Sequence, residues 1–208
     1  MRYDEIISSN LVFYRSSMNK NFPEYLTDVY PYQESTGTFT ISVVFDRYAN
    51  LFKKIDDSPI RRKDLTNELT TFLIECANEL PTGYPFEIAV HIQKEPADPN
   101  QENNVIKGIH NNFSYMANHL LENKANNKRR SIKYVFLSAV FIAVTVLMRS
   151  FMPPGLLLDM ISEGVNIGGW VFLWEAFSIH VIYMDEANTE IQDAERLCQA
   201  PVRFTYEN

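Results

Sequence analysis

Residues 132–148 read IKYVFLSAVFIAVTVLM, and the only charge among them is Lys133 at the edge. About 17 to 20 mostly apolar residues in a helix reach across the hydrocarbon core of a bilayer. A soluble helix of that length carries a polar face, and this one has none. Val165 to Met184 is a second stretch of similar length. Together they predict a helical hairpin spanning a membrane over residues 131–150 and 164–185.

The charges set its orientation. Lys124, Lys128, Arg129, Arg130 and Lys133 crowd the start of the first stretch, whereas the connector from Arg149 to Gly164 sets Arg149 against Asp159 and Glu163. Basic residues accumulate on the cytoplasmic side, so both termini are expected in the cytoplasm and the short loop outside. That loop, FMPPGLLLDMI, reads either as a tight apolar connector or as a short helix lying on the bilayer.

Composition narrows the function. The chain has 208 residues and a net charge of -7, a poor surface for a nucleic acid duplex. Cys76 and Cys198 have no CxxC spacing and read as reduced thiols, and the start MRYDEIISSN has no apolar run of the signal-peptide kind. His91, His110, His119 and His180 lack metal-ligand spacing. No GxSxG, HExxH or Gly-rich phosphate loop occurs, so neither an enzyme nor a bound cofactor or metal is expected.

Residues 1–125 are polar enough for a cytoplasmic domain and hold enough Phe and Tyr for a core. Thr38–Phe45 and Phe86–Ile92 alternate with period two, as strands with one buried face do. Between them Leu65, Leu69, Phe72, Leu73, Cys76 and Leu80 recur at helical spacing, predicting a core helix over residues 60–80 with Ser58 as its cap. Residues 19–35 read as loop. Val105–Leu121 reads as an amphipathic helix leading through a polar linker, Glu122–Arg130, to the hairpin of residues 126–186. After it, residues 187–208 read as an acidic helix and a strand through Val202, Phe204 and Tyr206, docking on the first domain. The predicted fold class is an α+β or α/β domain with a small mixed sheet, plus a two-helix transmembrane hairpin.

Glu175 falls at the middle of the second apolar stretch, where an unpaired carboxylate is costly. Gly164 and Gly168 share its helical face and permit a close neighbour, which points to an oligomer interface or a polar path. The plainer alternative bonds Glu175 to Ser138. The first stretch carries Ala139 and Ala143, four residues apart, and Ser138 and Thr145, seven apart, as packing positions. Arg61, Arg62 and Asp64 form a candidate surface for a ligand or partner, against the simpler reading of a solvated helix start.

DDSPIRRKDL at 56–65 and EGVNIGGWV at 163–171, with a late APVRF strand, resemble a group of uncharacterised bacterial membrane proteins. These pair a small cytoplasmic α/β domain with a C-terminal two-span hairpin. In plan the chain is also similar to two-span membrane effectors of anti-phage systems. The resemblance implies this architecture and not an activity. The preferred reading is a bacterial inner-membrane location, with the lipid bilayer and further copies of the chain as partners and a cytoplasmic domain that binds a protein or small ligand. The expected role is that of an oligomeric effector or channel-like element; the alternative is a membrane-anchored adaptor.

Overall fold

The computed structural model describes residues 22–53 and 64–207. Its centre is a four-stranded mixed sheet in the order β1-β2-β3-β4. β1 is Tyr32–Gln33, β2 Thr38–Phe45, β3 Phe86–Ile92 and β4 Val202–Tyr206. β1 lies antiparallel to β2, while β2, β3 and β4 are parallel neighbours. Gly37, at φ 68, makes the turn from β1 to β2 in the left-handed region that other residues avoid.

The period-two pattern works as the sequence suggests. Phe39, Ile41 and Val43 of β2 and Phe86, Ile88, Val90 and Ile92 of β3 are buried under helices. The opposite face carries cross-strand polar pairs, with Thr40 Oγ1 donating to Glu87 at 3.1 Å and Arg203 to Glu87 at 2.8 Å. Residues 19–35 are more structured than expected from Phe22 onward. Tyr25–Val29 form a short helix, α1, that seats Leu26 in the core, and Tyr30 Oη donates to Glu79 at 2.6 Å.

α2, Asn67–Glu79, crosses between β2 and β3. It starts later than the spacing predicts. Phe52 and Leu65 form an antiparallel bridge, with Lys53 N donating to Asp64 O and Thr66 N to Leu51 O, both at 2.9 Å. Residues 64–66 are thereby held extended, and Thr66 caps the helix by accepting from Leu69 N. The expected Ser58 cap lies outside the described residues. Leu69, Leu73 and Cys76 are buried as expected, but Phe72 is 43% exposed.

The connection from β3 to β4 is the largest part of the molecule. α3, Pro99–Phe151, is one helix of 53 residues, about 80 Å long. Asp98 caps it by accepting from Asn100 N at 2.9 Å, and Pro99 takes the first helical position. Val105, Ile109 and Phe113 pack on the sheet; Gly108 lets the Phe52 ring lie against the helix, where a Cβ would stand 2.6 Å from Phe52 Cε1. The expected linker Glu122–Arg130 is helical throughout. Its Glu, Lys, Ala and Asn favour or tolerate a solvated helix as readily as a loop.

The chain then reverses. α4, Leu156–Ser178, passes through a π turn, Ile179–Tyr183, into α5, Met184–Gln199. The apolar residues after Gly155 therefore belong to the first turns of α4 and not to a separate interfacial helix. α5 returns along α3, with Lys124 Nζ donating to Asn188 Oδ1 at 2.5 Å and Cys198 Sγ to His110 O at 3.5 Å. Arg196 fastens it to α2. The guanidinium donates to the carbonyls of Ala77, Leu80, Pro81 and Tyr84 and to Asp193 Oδ1 at 2.8–3.3 Å, and lies 4.9 Å from the Phe86 ring centroid. The orphan carbonyls at the end of α2 are thus met by a cation from another element.

The exposure of Phe72 separates it from its neighbour in energy. Leu73→Ala should lower stability by about 2 to 5 kcal/mol, as deletion of a buried leucine does, and Phe72→Ala by well under half of that. Denaturant unfolding of the full chain in mild detergent, followed by near-UV circular dichroism, measures both.

Candidate functional site in the helical hairpin

Where α3 and α4 run together, a line of small residues lies between them, flanked by Phe172 of α4 packed on Tyr134 and Phe141 of α3 at ring-centroid distances of 5.8 and 5.4 Å. Ser131, Ser138 and Thr145 recur every seven residues on α3, and Ser162, Gly169 and Ala176 do so on α4. Ser131 Oγ donates to Ala176 O at 3.1 Å. A Cβ on Gly169 would lie 3.4 Å from Ser138 O and 3.2 Å from Ile142 Cγ1. Ser138 and Ser162 are 1% and 0% exposed, and Thr145 is buried with its hydroxyl on Phe141 O. A seven-residue repeat of small side chains lets two helix backbones approach closely along a seam.

The outward faces carry the large apolar side chains. Phe136, Val140, Val144 and Leu147 of α3 and Leu157, Met160, Ile167, Trp170, Val171 and Trp174 of α4 are exposed. Both helices are long and apolar enough to cross a membrane, and only 11% of each apolar window is buried within the molecule. A soluble coiled coil has the reverse arrangement.

The sequence-derived candidates fall at different places on this hairpin. Gly168 lies against Phe141, whose ring would be 3.1 Å from an added Cβ, so its space is used within the hairpin. Gly164 faces open space. Ala139 and Ala143 are exposed on the face away from the seam, while Ser138 and Thr145 are in it. Glu175 is half-buried next to Ala176, hence level with Ser131. Ser138 is seven residues further along α3, about 10 Å away, at the level of Gly169. Glu175 therefore stands level with the start of the apolar run of α3, close enough to Arg130 to act on it electrostatically. Sequence reading missed Gly169, Ser162 and Ala176; a search for a second seven-residue repeat of small residues finds them.

The far end is closed by ions. Arg149 donates to Ser162 Oγ and to Glu163 Oε2, both at 3.2 Å, beside a shallow depression of about 550 Å³ that Met152, Pro154, Leu158 and Asp159 complete. At the junction with the domain, the π turn inserts one residue. The inward positions advance by seven from Ser162 to Ala176, then by eight to half-buried Met184, and by seven again to Ile191 and Cys198. The extra residue keeps one face of the long helix turned inward along both the hairpin and the domain.

On the domain, Asp64 is exposed and 3.7 Å from Lys53, and Arg61 and Arg62 lie outside the described residues. A more organised polar group stands where β2, β3 and β4 end. Tyr206 Oη bonds both Glu102, on the first turns of α3, and Tyr48 Oη, the latter at 2.6 Å; Glu95 accepts from Tyr48 N at 2.9 Å. A shallow cavity of about 460 Å³, lined by Gln93, Lys94, Glu95, Pro96, Ala97, Tyr206 and Glu207, opens beside it. Burial, then the bond to Glu102, raises the Tyr206 pKa well above the ordinary range. Among the described residues no group of three or more His, Cys, Asp or Glu is placed to hold a metal ion.

Comparison with protein-family models, with curated proteins and with solved structures finds no match to this chain.

Two outcomes follow from this geometry. Gly169→Leu should force α3 and α4 apart and abolish disulfide cross-linking of an introduced Ser131→Cys, Ala176→Cys pair, which sits where the two helices touch, whereas Gly164→Leu should leave cross-linking intact. The raised Tyr206 pKa has a fixed sign. The folded state keeps the phenol protonated while the unfolded chain loses the proton near the ordinary value of about 10. Stability contributed by Tyr206 is thus full below that pH and falls as pH rises through it towards the higher folded value. Tyr206→Phe should flatten that alkaline decline in denaturant titrations.

Proposed function

We propose that the protein is an integral protein of the bacterial inner membrane whose cytoplasmic α/β domain senses a ligand or partner and whose hairpin, assembled with further copies, acts on the membrane as a channel-like effector. The membrane assignment is supported by two long apolar helices whose seam holds small and polar side chains and whose outer faces carry most of the large apolar ones. In hydrocarbon the outer faces need no partner and the helix backbones satisfy their own hydrogen bonds. The basic residues at the start of the first span favour cytoplasmic termini.

The effector reading is supported by the unbroken path from sheet to hairpin. No loop separates α3's domain-packed half from its apolar half. The sensing edge in this reading is the group at the carboxyl ends of the parallel strands, the position where open α/β sheets bind ligands. A ligand that draws Tyr206 away from Glu102 acts on the first turns of the helix that enters the membrane. Ala139, Ala143 and Gly164, on outward faces, give a neighbouring copy room to approach. Glu175, beside Arg130, then marks the cytoplasmic edge of the bilayer. Two-span effectors of anti-phage defence share this plan, and that is the setting we assign.

An adaptor is the second reading. It is favoured by the use of Gly168 and Gly169 within one hairpin, whose seam leaves no polar path of its own.

Alkaline carbonate extraction and a membrane-potential dye in expressing cells test both levels. The protein should remain with the membrane pellet, and its induction should depolarise the cells. Ala143→Leu should preserve membrane retention and suppress depolarisation. Release by carbonate would refute the spanning hairpin; retention with an unchanged potential would leave the adaptor.

A further inference from the structure

The outer face of α3 at the membrane edge joins charge to apolar surface. Ser131 faces α4, and steps of 100° place Arg129 and Lys133 about 40° apart on the opposite side of the helix, with Arg130 on the adjoining flank. All three are exposed. Arg130 Nε donates to Tyr134 Oη at 2.9 Å, and its guanidinium lies 5.3 Å from that ring's centroid. Among the described residues, no carboxylate lies within 4.0 Å of Lys128, Arg129, Arg130 or Lys133. Glu175, the acidic residue at this level, acts on Arg130 only from beyond that distance. Asp185 and Glu186 come about 16 Å further towards the domain.

On the other side of the basic group the surface is apolar. Phe136 and Val140 continue the 129, 133, 136, 140 spacing down one face and are exposed, with Ile132 beside them. On α4, exposed Trp174 stands level with Lys133 and packs on Phe177, the placement favoured by aromatic residues at headgroup depth. Guanidinium groups bind phosphate through paired hydrogen bonds, and an adjacent apolar strip suits an acyl chain and not a free anion.

We infer that Arg129, Arg130 and Lys133 form a headgroup site for an anionic phospholipid, with its acyl chain along Phe136 and Val140. The site rests on the membrane reading above. It fixes the depth of the hairpin from the cytoplasmic side and makes the protein gather anionic lipid around that edge.

The full chain reconstituted in phosphatidylcholine vesicles, with a trace of spin-labelled phosphatidylglycerol or phosphatidylcholine, provides the test. Electron paramagnetic resonance reads the motionally restricted fraction of each label. Phosphatidylglycerol should be preferred by at least about fivefold, the equivalent of the ~1 kcal/mol that one basic residue contributes near an anionic surface. The triple variant Arg129→Gln, Arg130→Gln, Lys133→Gln should lose the preference, and Lys94→Gln on the domain should keep it. If the triple variant fails to reconstitute, Arg129→Gln and Lys133→Gln singly should each reduce it. Equal restriction of the two lipids, or a preference that survives the triple variant, overturns the site. Loss of the preference to inorganic phosphate at matched ionic strength also overturns it, in favour of a free anion. Flotation separates the two levels of inference. A chain that does not float with the vesicles refutes the membrane reading itself, whereas one that floats without preference refutes the lipid site alone.

Discussion

The parallel pairing of β3 with β4 governs the architecture. Ile88 stands opposite Val202 and Ile92 opposite Tyr206, so the chain that leaves the sheet after Ile92 must re-enter it at the end from which β3 began. Parallel neighbours need a crossover, and here the crossover is two helices long. α3 departs, the chain turns at Met152–Gly155, and α4 and α5 bring it back. Arg196 then ties the returning helix to the carbonyls that end α2, and its partner Asp193 is buried beside it. A cation removed from that place would leave the Asp193 carboxylate with Asn78 alone and several carbonyls without their donor, both costly in a buried position. The hairpin is therefore held at both of its ends by a single folded body.

Within the hairpin, small residues set how closely the two helices approach, and Phe141 and Phe172 fill the space beside them. Ser138, Thr145, Ser162 and Gly169 occupy the seam because they let the backbones approach, and that approach brings dispersion contacts along its length. Most of the bulky apolar side chains lie on the outer faces. The π turn reconciles the hairpin with the domain, whose inward residues on α5 are out of step with those of α4 by one position.

Much of this was legible in the sequence because it depends on local periodicity. The strands 38–45 and 86–92 appear at their expected bounds, and the two apolar runs are helices. What was not legible depends on partners distant in the chain. The bridge between Phe52 and Leu65 delays α2 to Asn67, and nothing in the helical spacing reveals it. Composition alone does not separate a solvated helix from a linker at Glu122–Arg130. The depth of Glu175, and the choice of Gly169 over Gly164 for the seam, follow from the register of two helices against each other, which neither helix encodes alone. Arg196 looks like an ordinary surface arginine until the end of α2 is brought to it.

The long crossover also sets an order of events during biogenesis. His91 and Thr205, bonded across β3 and β4, are 114 residues apart, and both long helices are translated between them. Until β4 emerges, β3 presents one bare edge, a surface open to chaperones and proteases. Closure of the sheet is therefore a late checkpoint. It reports that the hairpin has been made and has turned back, and a chain whose helices went astray would keep that edge exposed as its own mark for removal.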